Sequence, residues 1–493
     1  METSATPSTR HIHWAIALVP FAVLVSLQIL VIKVFGSDAL DGASQTVLLF
    51  ATGVAVAIAM LGYKVPWGNI NEAINENIKT IGPAILILFL IGAVSASWML
   101  SGVVPTLIYY GMKIVGPSVF LFLACLICAL VSVVTGSSWT TVATIGIALM
   151  GIGAAHGYSV GWTAGAIISG AYFGDKISPL SDTTVLASSV GEVPLFTHIR
   201  YMLITTVPSF VIALMIFLVV SLCHTSGDGG LSSNIAEGLR NVFTISPWLL
   251  IVPVVTAVLI ALRLPAVIVL FLSALVAGLA MFLFQPDIVG HVGEGNDFRG
   301  LMMTYYGGTT LDTGSEVLTN LVQTRGMRGM LSTVFLIFCA AAFGGALSGT
   351  GMIQSITSAL ARGISGRRSL VSSTVATGLF SNMVTGDQYL SIVLTGNIFK
   401  NLYKEKGYEG RLLSRSTEDS ATVTSVLVPW NTCGMTQSVV LKVPTIDYLP
   451  YCFFNIVSPL MSITIAMLGY KIFRREEAEN SDVVGEKDHE LHG

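Results

Sequence analysis

The chain has 493 residues, 53% hydrophobic and 11% charged, with a mean hydropathy of +0.77 and a formal net charge of -3. Soluble domains carry about 25% charged residues, so the composition argues against a soluble enzyme or binding module. With no long basic tract and no basic-aromatic platform, it also argues against a nucleic-acid binder. Six cysteines are scattered along the sequence. Cys125 and Cys128 form a C-x-x-C inside an apolar run, which reads as small core- or lipid-facing residues and not as a zinc site.

In chain order, a polar start (Met1 to Arg10) precedes an apolar run from Trp14 to Val34, read as a retained first helix and not a cleaved leader. Apolar runs of about 20 residues signal spanning helices. They predict full spans at 14–35, 46–63, 83–112, 160–190, 198–222, 246–262, 265–284, 331–360, 412–442 and 449–471. Two further apolar stretches, 117–156 and 369–403, are interrupted by Thr135-Gly136-Ser137-Ser138 and Thr385-Gly386-Asp387-Gln388. Each limb reads as short for a crossing, which predicts re-entrant hairpins. Non-helical backbone at that depth needs protein or a water-filled cavity to satisfy it. With both hairpins re-entrant and the N-terminus inside, 16 Lys and Arg fall inside and 7 outside, so the positive-inside bias puts both termini in the cytoplasm. Residues 285–330 read as a glycine-rich external loop, and the stretch after Phe473 as a charged, disordered tail.

An internal repeat appears at an offset of 250 residues. Val134-Thr135-Gly136 matches Val384-Thr385-Gly386, Gly116 matches Gly366, Pro179 matches Pro429, Val193-Pro194 matches Val443-Pro444, and Tyr201 matches Tyr451. The matches fall at both hairpin tips, in the fourth and ninth predicted spans, and in the spans that follow. An odd number of crossings between equivalent helices makes the halves inverted, a recurring carrier architecture. The expected fold is an all-α polytopic membrane protein of about 10 full spans, with two inverted repeats, each holding a re-entrant hairpin and a broken transmembrane helix. Its divisions are N-terminal spans (1–82), a first repeat (83–222), connecting spans and loop (223–330), a second repeat (331–471) and a tail (472–493).

The densest polar cluster lies inside the fourth predicted span, from Gly170 to Thr184. Gly174 and Pro179 are expected to break the helix there. Broken helices offer carbonyls and half-helix ends to a cation, and intramembrane ionisable groups are functional candidates by default. Asp175, Ser181, Asp182 and Thr183, with Thr135, Ser137 and Ser138 from the hairpin tip, are the expected cation- and proton-binding residues. Asp175 and Asp182 are the expected sodium ligands, and Lys176 is expected to neutralise one carboxylate when the site is empty. The second half offers Asp387, Glu418, Asp419, Ser420, Asn431 and Thr432.

FGDKISPLSDTT (173–184) and EDSATVTSVLVPWNTCG (418–434) together resemble the paired signatures of the NhaC family of sodium/proton antiporters. The resemblance covers nearly the whole chain. It departs at Ala421, where glycine is expected. It implies inverted repeats, sodium and protons as transported ions with no cofactor, and the plasma (inner) membrane of a prokaryote. Expected partners are small ions, a small organic solute in the alternative below, and the lipid bilayer, with no nucleic acid and a homodimer left open. The alternative from the same family is a sodium-coupled carrier of organic acids (malate, lactate) or amino acids. An intramembrane aspartyl protease using Asp175 and Asp387 lacks a G-x-G-D at either residue and leaves the repeat unexplained. No H-E-x-x-H or G-x-S-x-G supports a hydrolase, so no enzyme activity is expected.

Overall fold

Backbone in lipid must bond to itself, and helices do this within one segment. The computed structural model describes residues 12–35, 42–224, 230–262, 264–313, 316–361, 364 and 366–473, and these are helical almost throughout. Among them one isolated bridge, Thr309 to Thr324, is the only extended pairing. Eight helices are long and apolar enough to cross a bilayer, or up to 10 if two bent pairs each form one span. The chain is a multi-pass membrane protein.

Several boundaries differ from expectation. Residues 64–82, left between two predicted spans, hold the helix Trp67–Thr80. Its backbone lies against glycines of the helix Leu331–Gly349, where a Cβ on Gly345 would come within 2.6 Å of Ile74 Cα. Asn77 also donates to the Ala341 carbonyl at 2.7 Å. The runs 83–112 and 331–360 are not continuous, because Gly102 (φ 82°) and Gly351 (φ 76°) interrupt them in the left-handed region. The presumed loop 285–330 carries the helices Pro286–Val292, Asp297–Tyr306 and Glu316–Val322. One of its polar residues starts a helix: Asn296 accepts from the Arg299 N–H at 2.9 Å.

The limbs of the first hairpin are longer than expected. Pro117–Thr135 has 19 residues and Ser138–Ala155 has 18, about 27–29 Å at ~1.5 Å per residue. Length alone therefore does not make them re-entrant. Of the basic residues assigned to the inside, Arg415 is fully buried in a helix. Arg10, Arg263, Arg362, Arg474, Arg475 and the tail beyond Phe473 lie outside the described residues.

The offset of 250 recurs in the hydrogen bonds. Gly136 (φ 67°) and Gly386 (φ 64°) turn the two hairpins. The Thr135 hydroxyl takes the Ser137 N–H at 3.2 Å, as the Thr385 hydroxyl takes that of Asp387 at 3.2 Å. Ser132 reaches the Ala171 carbonyl at 2.6 Å, and Asn382 reaches the Ala421 carbonyl at 2.6 Å. Val193 N–H meets the Ser188 carbonyl at 3.0 Å, and Val443 N–H that of Ser438 at 3.0 Å. Even the strained corner repeats, with Glu192 (φ 54°) and Lys442 (φ 57°) both left-handed.

Candidate functional site

Proline pushes the residue before it into extended backbone. Ser178, before Pro179, has φ -76° and ψ 130°, and Val428, before Pro429, has φ -98° and ψ 116°. The first broken helix is thus Val160–Ile177 followed by Asp182–Val190. The second runs from Gly410 through a wide π-turn at Glu418–Thr422 and resumes at Thr432–Leu441. Gly174 does not break its helix. It admits the first hairpin, whose Ala129 carbonyl would lie 2.4 Å from a Cβ there.

Asp175 sits on the last turn before the first break, buried at 6% exposure. Its Oδ2 accepts from the Ser138 hydroxyl at 2.6 Å and the Ser138 N–H at 3.2 Å, both from the hairpin tip. Its Oδ1 accepts from the Ser181 hydroxyl across the break at 2.6 Å. Ser181 is the N-cap residue of the next half-helix, yet its side chain makes no capping bond there. Its hydroxyl also meets that of Thr183 at 3.0 Å, and Thr183 donates to Glu418 Oε1 at 3.3 Å. Glu418 is fully buried, and its other oxygen has no partner.

Asp175, Ser181 and Thr183 border an open cavity of about 880 Å³. Thr135, Ser137, Asp175, Ser181, Asp182 and Thr183 line one side, and Asp387 and Thr432 of the second half also line it. Asp182 is exposed to this space. Asp387 caps its helix, accepting from the Leu390 N–H at 3.0 Å, and takes the Thr432 hydroxyl at 3.3 Å. Ser138, Glu418, Asp419, Ser420 and Asn431 do not line the cavity. Ser138 and Glu418 instead bond to the lining residues Asp175 and Thr183. Ser420 bonds to the Ser416 carbonyl at 2.7 Å, and Asn431 caps the half-helix through the Cys433 N–H at 3.0 Å. Among the described residues no three His, Cys, Asp or Glu side chains gather as a metal cluster. A carboxylate ringed by hydroxyls is instead a hard oxygen set suited to an alkali cation.

Lys176 does not neutralise Asp175 or Asp182. Successive helical residues point about 100° apart, so Asp175 faces the hairpin while Lys176 turns to the second half. There it pairs with Asp419, both side chains fully buried. Thr205 and Ser458 donate to the same Asp419 oxygen at 3.0 and 3.2 Å. This ion pair between halves was missed, as were the cavity residues Trp139, Thr140 and Tyr389. No charge-pair spacing announces a partner 243 positions away. Ser132 and Asn382, by contrast, were findable as polar residues at the repeat offset inside apolar helices.

The sequence matches the profile of the Na+/H+ antiporter family over residues 5–189 and 170–470. The chain belongs to that family. It is 36% identical over 423 residues to the Na(+)/H(+) antiporter NhaC of Bacillus subtilis (strain 168), covering 85% of this chain and 91% of the relative. It is 35% identical over 451 residues to the malate-2H(+)/Na(+)-lactate antiporter of the same organism, covering 91% and 93%. It is also 35% identical over 470 residues to the arginine/ornithine antiporter ArcD of Halobacterium salinarum, covering 94% of each chain. Members of this antiporter family are transporters, not enzymes.

Proposed function

We propose that this antiporter exchanges sodium for protons across the plasma membrane of a prokaryote, with both termini cytoplasmic and no resident cofactor. The observation that carries the reading is the Asp175 site: one buried carboxylate, three donors from two separately broken elements, and a cavity at its edge. Sodium, the cargo, binds Asp175 with oxygens of Ser181, Thr183 and the tip residues Thr135, Ser137 and Ser138, and Asp182 draws it into the cavity. Asp387 and Thr432 complete the far wall. Ser181 gives its single hydrogen to Asp175 and Thr183 gives its own to Glu418, so a proton arriving on Glu418 would reverse the second bond and free the Thr183 hydrogen for Ser181, linking Glu418 through Thr183 and Ser181 to Asp175. The pair Asp175 and Glu418 then carries either the sodium or the returning proton.

The repeats 83–222 and 331–471 are related by inversion in this reading, and both hairpins re-enter from opposite sides. The shared hydrogen-bond pattern and the meeting of each tip with its break support it. Two breaks that satisfy each other also meet the backbone requirement in lipid. A second reading, sodium-coupled exchange of an organic acid or amino acid, draws on the cavity, since about 880 Å³ is more than a bare ion fills. Proteoliposomes with a sodium gradient and an internal pH dye separate the two. Proton movement on sodium alone is expected. Movement that requires malate, lactate, arginine or ornithine would replace the first reading with the second.

A further inference from the structure

Two buried groups beside the site meet only as a long ion pair, with no hydrogen bond between them. Arg415 is fully buried, and its three guanidinium nitrogens have no hydrogen-bond partner. Asp419 is fully buried, and all its hydrogen bonds fall on Oδ1, leaving Oδ2 with none. Arg415 Nε stands 4.0 Å from that oxygen, and its guanidinium lies 4.6 Å from the Tyr201 ring centre. Neither residue lines the cavity.

Their position ties them to the first break. Lys176, held by Asp419, is the residue after Asp175 and precedes the break. Thr183, held by Glu418, follows it. Two consecutive carboxylates of the second half therefore straddle the break of the first, and they do so from a π-turn, a local irregularity common at functional sites. Any shift of Thr183 relative to Lys176 pulls on this turn. Separating a buried ion pair leaves an uncompensated charge, which is strongly destabilising, unless a second cation is at hand. Arg415 is that cation, with a planar fork suited to a carboxylate.

We propose that Asp419 is a two-position latch between the halves, held on Lys176 in this conformation and passed to Arg415 when the first break rearranges. Arg415 is then a positioning residue for transport: it touches no cargo. The proposal rests on the reading that the first break moves during exchange.

The test uses the full chain in proteoliposomes and in detergent. Arg415→Gln should lower sodium-driven turnover by about tenfold or more while sodium KM stays within about twofold. Its melting temperature should fall little, since in this conformation Arg415 makes no hydrogen bond, only the long contact to Asp419 and the contact to the Tyr201 ring. Arg415→Lys, which keeps the charge, should recover part of the turnover. In a Lys176→Met background Asp419 should already sit on Arg415, so adding Arg415→Gln should there cause a loss of melting temperature larger than in the wild type. Wild-type turnover in Arg415→Gln, or failure of that variant to fold, would overturn the latch. So would additive melting temperatures. The stability cycle reads the latch without any flux, so wild-type protein that moves neither sodium nor protons would count against the antiport reading alone.

Discussion

The two breaks share a skeleton and differ in chemistry. In the second, Asn431 caps its half-helix at Cys433, and the tip residue Asp387 caps its own helix at Leu390. In the first, the equivalent tip residue, Ser137, also caps, at Thr140. Ser181, equivalent to Asn431, instead gives its hydroxyl to Asp175 and leaves its half-helix without a side-chain cap. Position 425, the counterpart of Asp175, is a serine bonded to the Thr422 carbonyl at 2.7 Å. The second half uses Asn431 to finish its helix, and the first turns the equivalent Ser181 to a carboxylate at a cavity. The forgone cap, typically worth ~1 kcal/mol, marks where local structure yields to function.

The sharpest way to break this contrast is to neutralise each carboxylate. Asp175→Asn keeps the size and loses the charge. A hydrogen-bonded or ionic contact to a charged group contributes about 1.5–3 kcal/mol, so sodium affinity should fall about 10- to 100-fold, and sodium-driven proton flux should vanish. Asp387→Asn retains an effective cap and should reduce flux much less. Equal losses in a dye-based flux assay would mean that both halves bind cargo.

A second contrast is steric. Where hairpin and broken helix cross, the first half places its glycine on the broken helix (Gly170, facing Cys125 and Cys128). The second places it on the hairpin (Gly378, facing Ser420). A Cβ on Gly170 would lie 2.0 Å from the Cys125 carbonyl oxygen, and one on Gly378 would lie 2.3 Å from the Ser420 hydroxyl. Either alanine variant should cost about 1–3 kcal/mol of stability through overpacking, and Gly170→Ala should cost more because backbone must move. Ser420→Gly added to Gly378→Ala copies the first half's arrangement and should recover part of the loss in a melting assay. No recovery would make the swapped glycines unrelated.

The smallest effect lies at the corners. Glu192 meets Lys400 at 2.7 Å and Lys404 at 2.6 Å on the second hairpin's outgoing helix. Lys400 first and then Lys404 hold its carboxyl down, to about 2. A depressed carboxyl stabilises the fold above its ordinary value of 4.5 and loses that contribution as pH falls toward about 2. The groups are exposed and screened, so Glu192→Gln should flatten only a slight part of the acid side of a stability curve. A large flattening would show the corner to be a real tie between the halves.

Much of this was legible in the sequence. Pro179 and Pro429 marked both breaks because proline acts on its immediate neighbour. Thr135-Gly136 and Thr385-Gly386 marked both tips because a left-handed turn wants glycine. The meeting of the Ser138 tip with Asp175 followed from the need of broken backbone for partners. What was not legible depended on direction and distance. Composition could not tell that Lys176 points away from Asp175, that Arg415 is buried when its neighbours Arg411 and Lys406 are not, or that Trp67–Thr80 is a helix packed on glycines. Those facts are set by which face of a helix meets another helix far along the chain.

The measurement that bears most directly on the exchange is sodium affinity as a function of pH, by titration calorimetry on the wild type and Asp175→Asn. A proton on the Asp175–Glu418 pair removes the charge that holds sodium. Wild-type affinity should therefore weaken steadily as pH falls from about 9 to 6, by up to tenfold per pH unit where one proton competes with one ion. Asp175→Asn should bind weakly at every pH. A wild-type affinity that stays flat across that range, or an Asp175→Asn variant that binds sodium as tightly as the wild type, would contradict competition at this carboxylate.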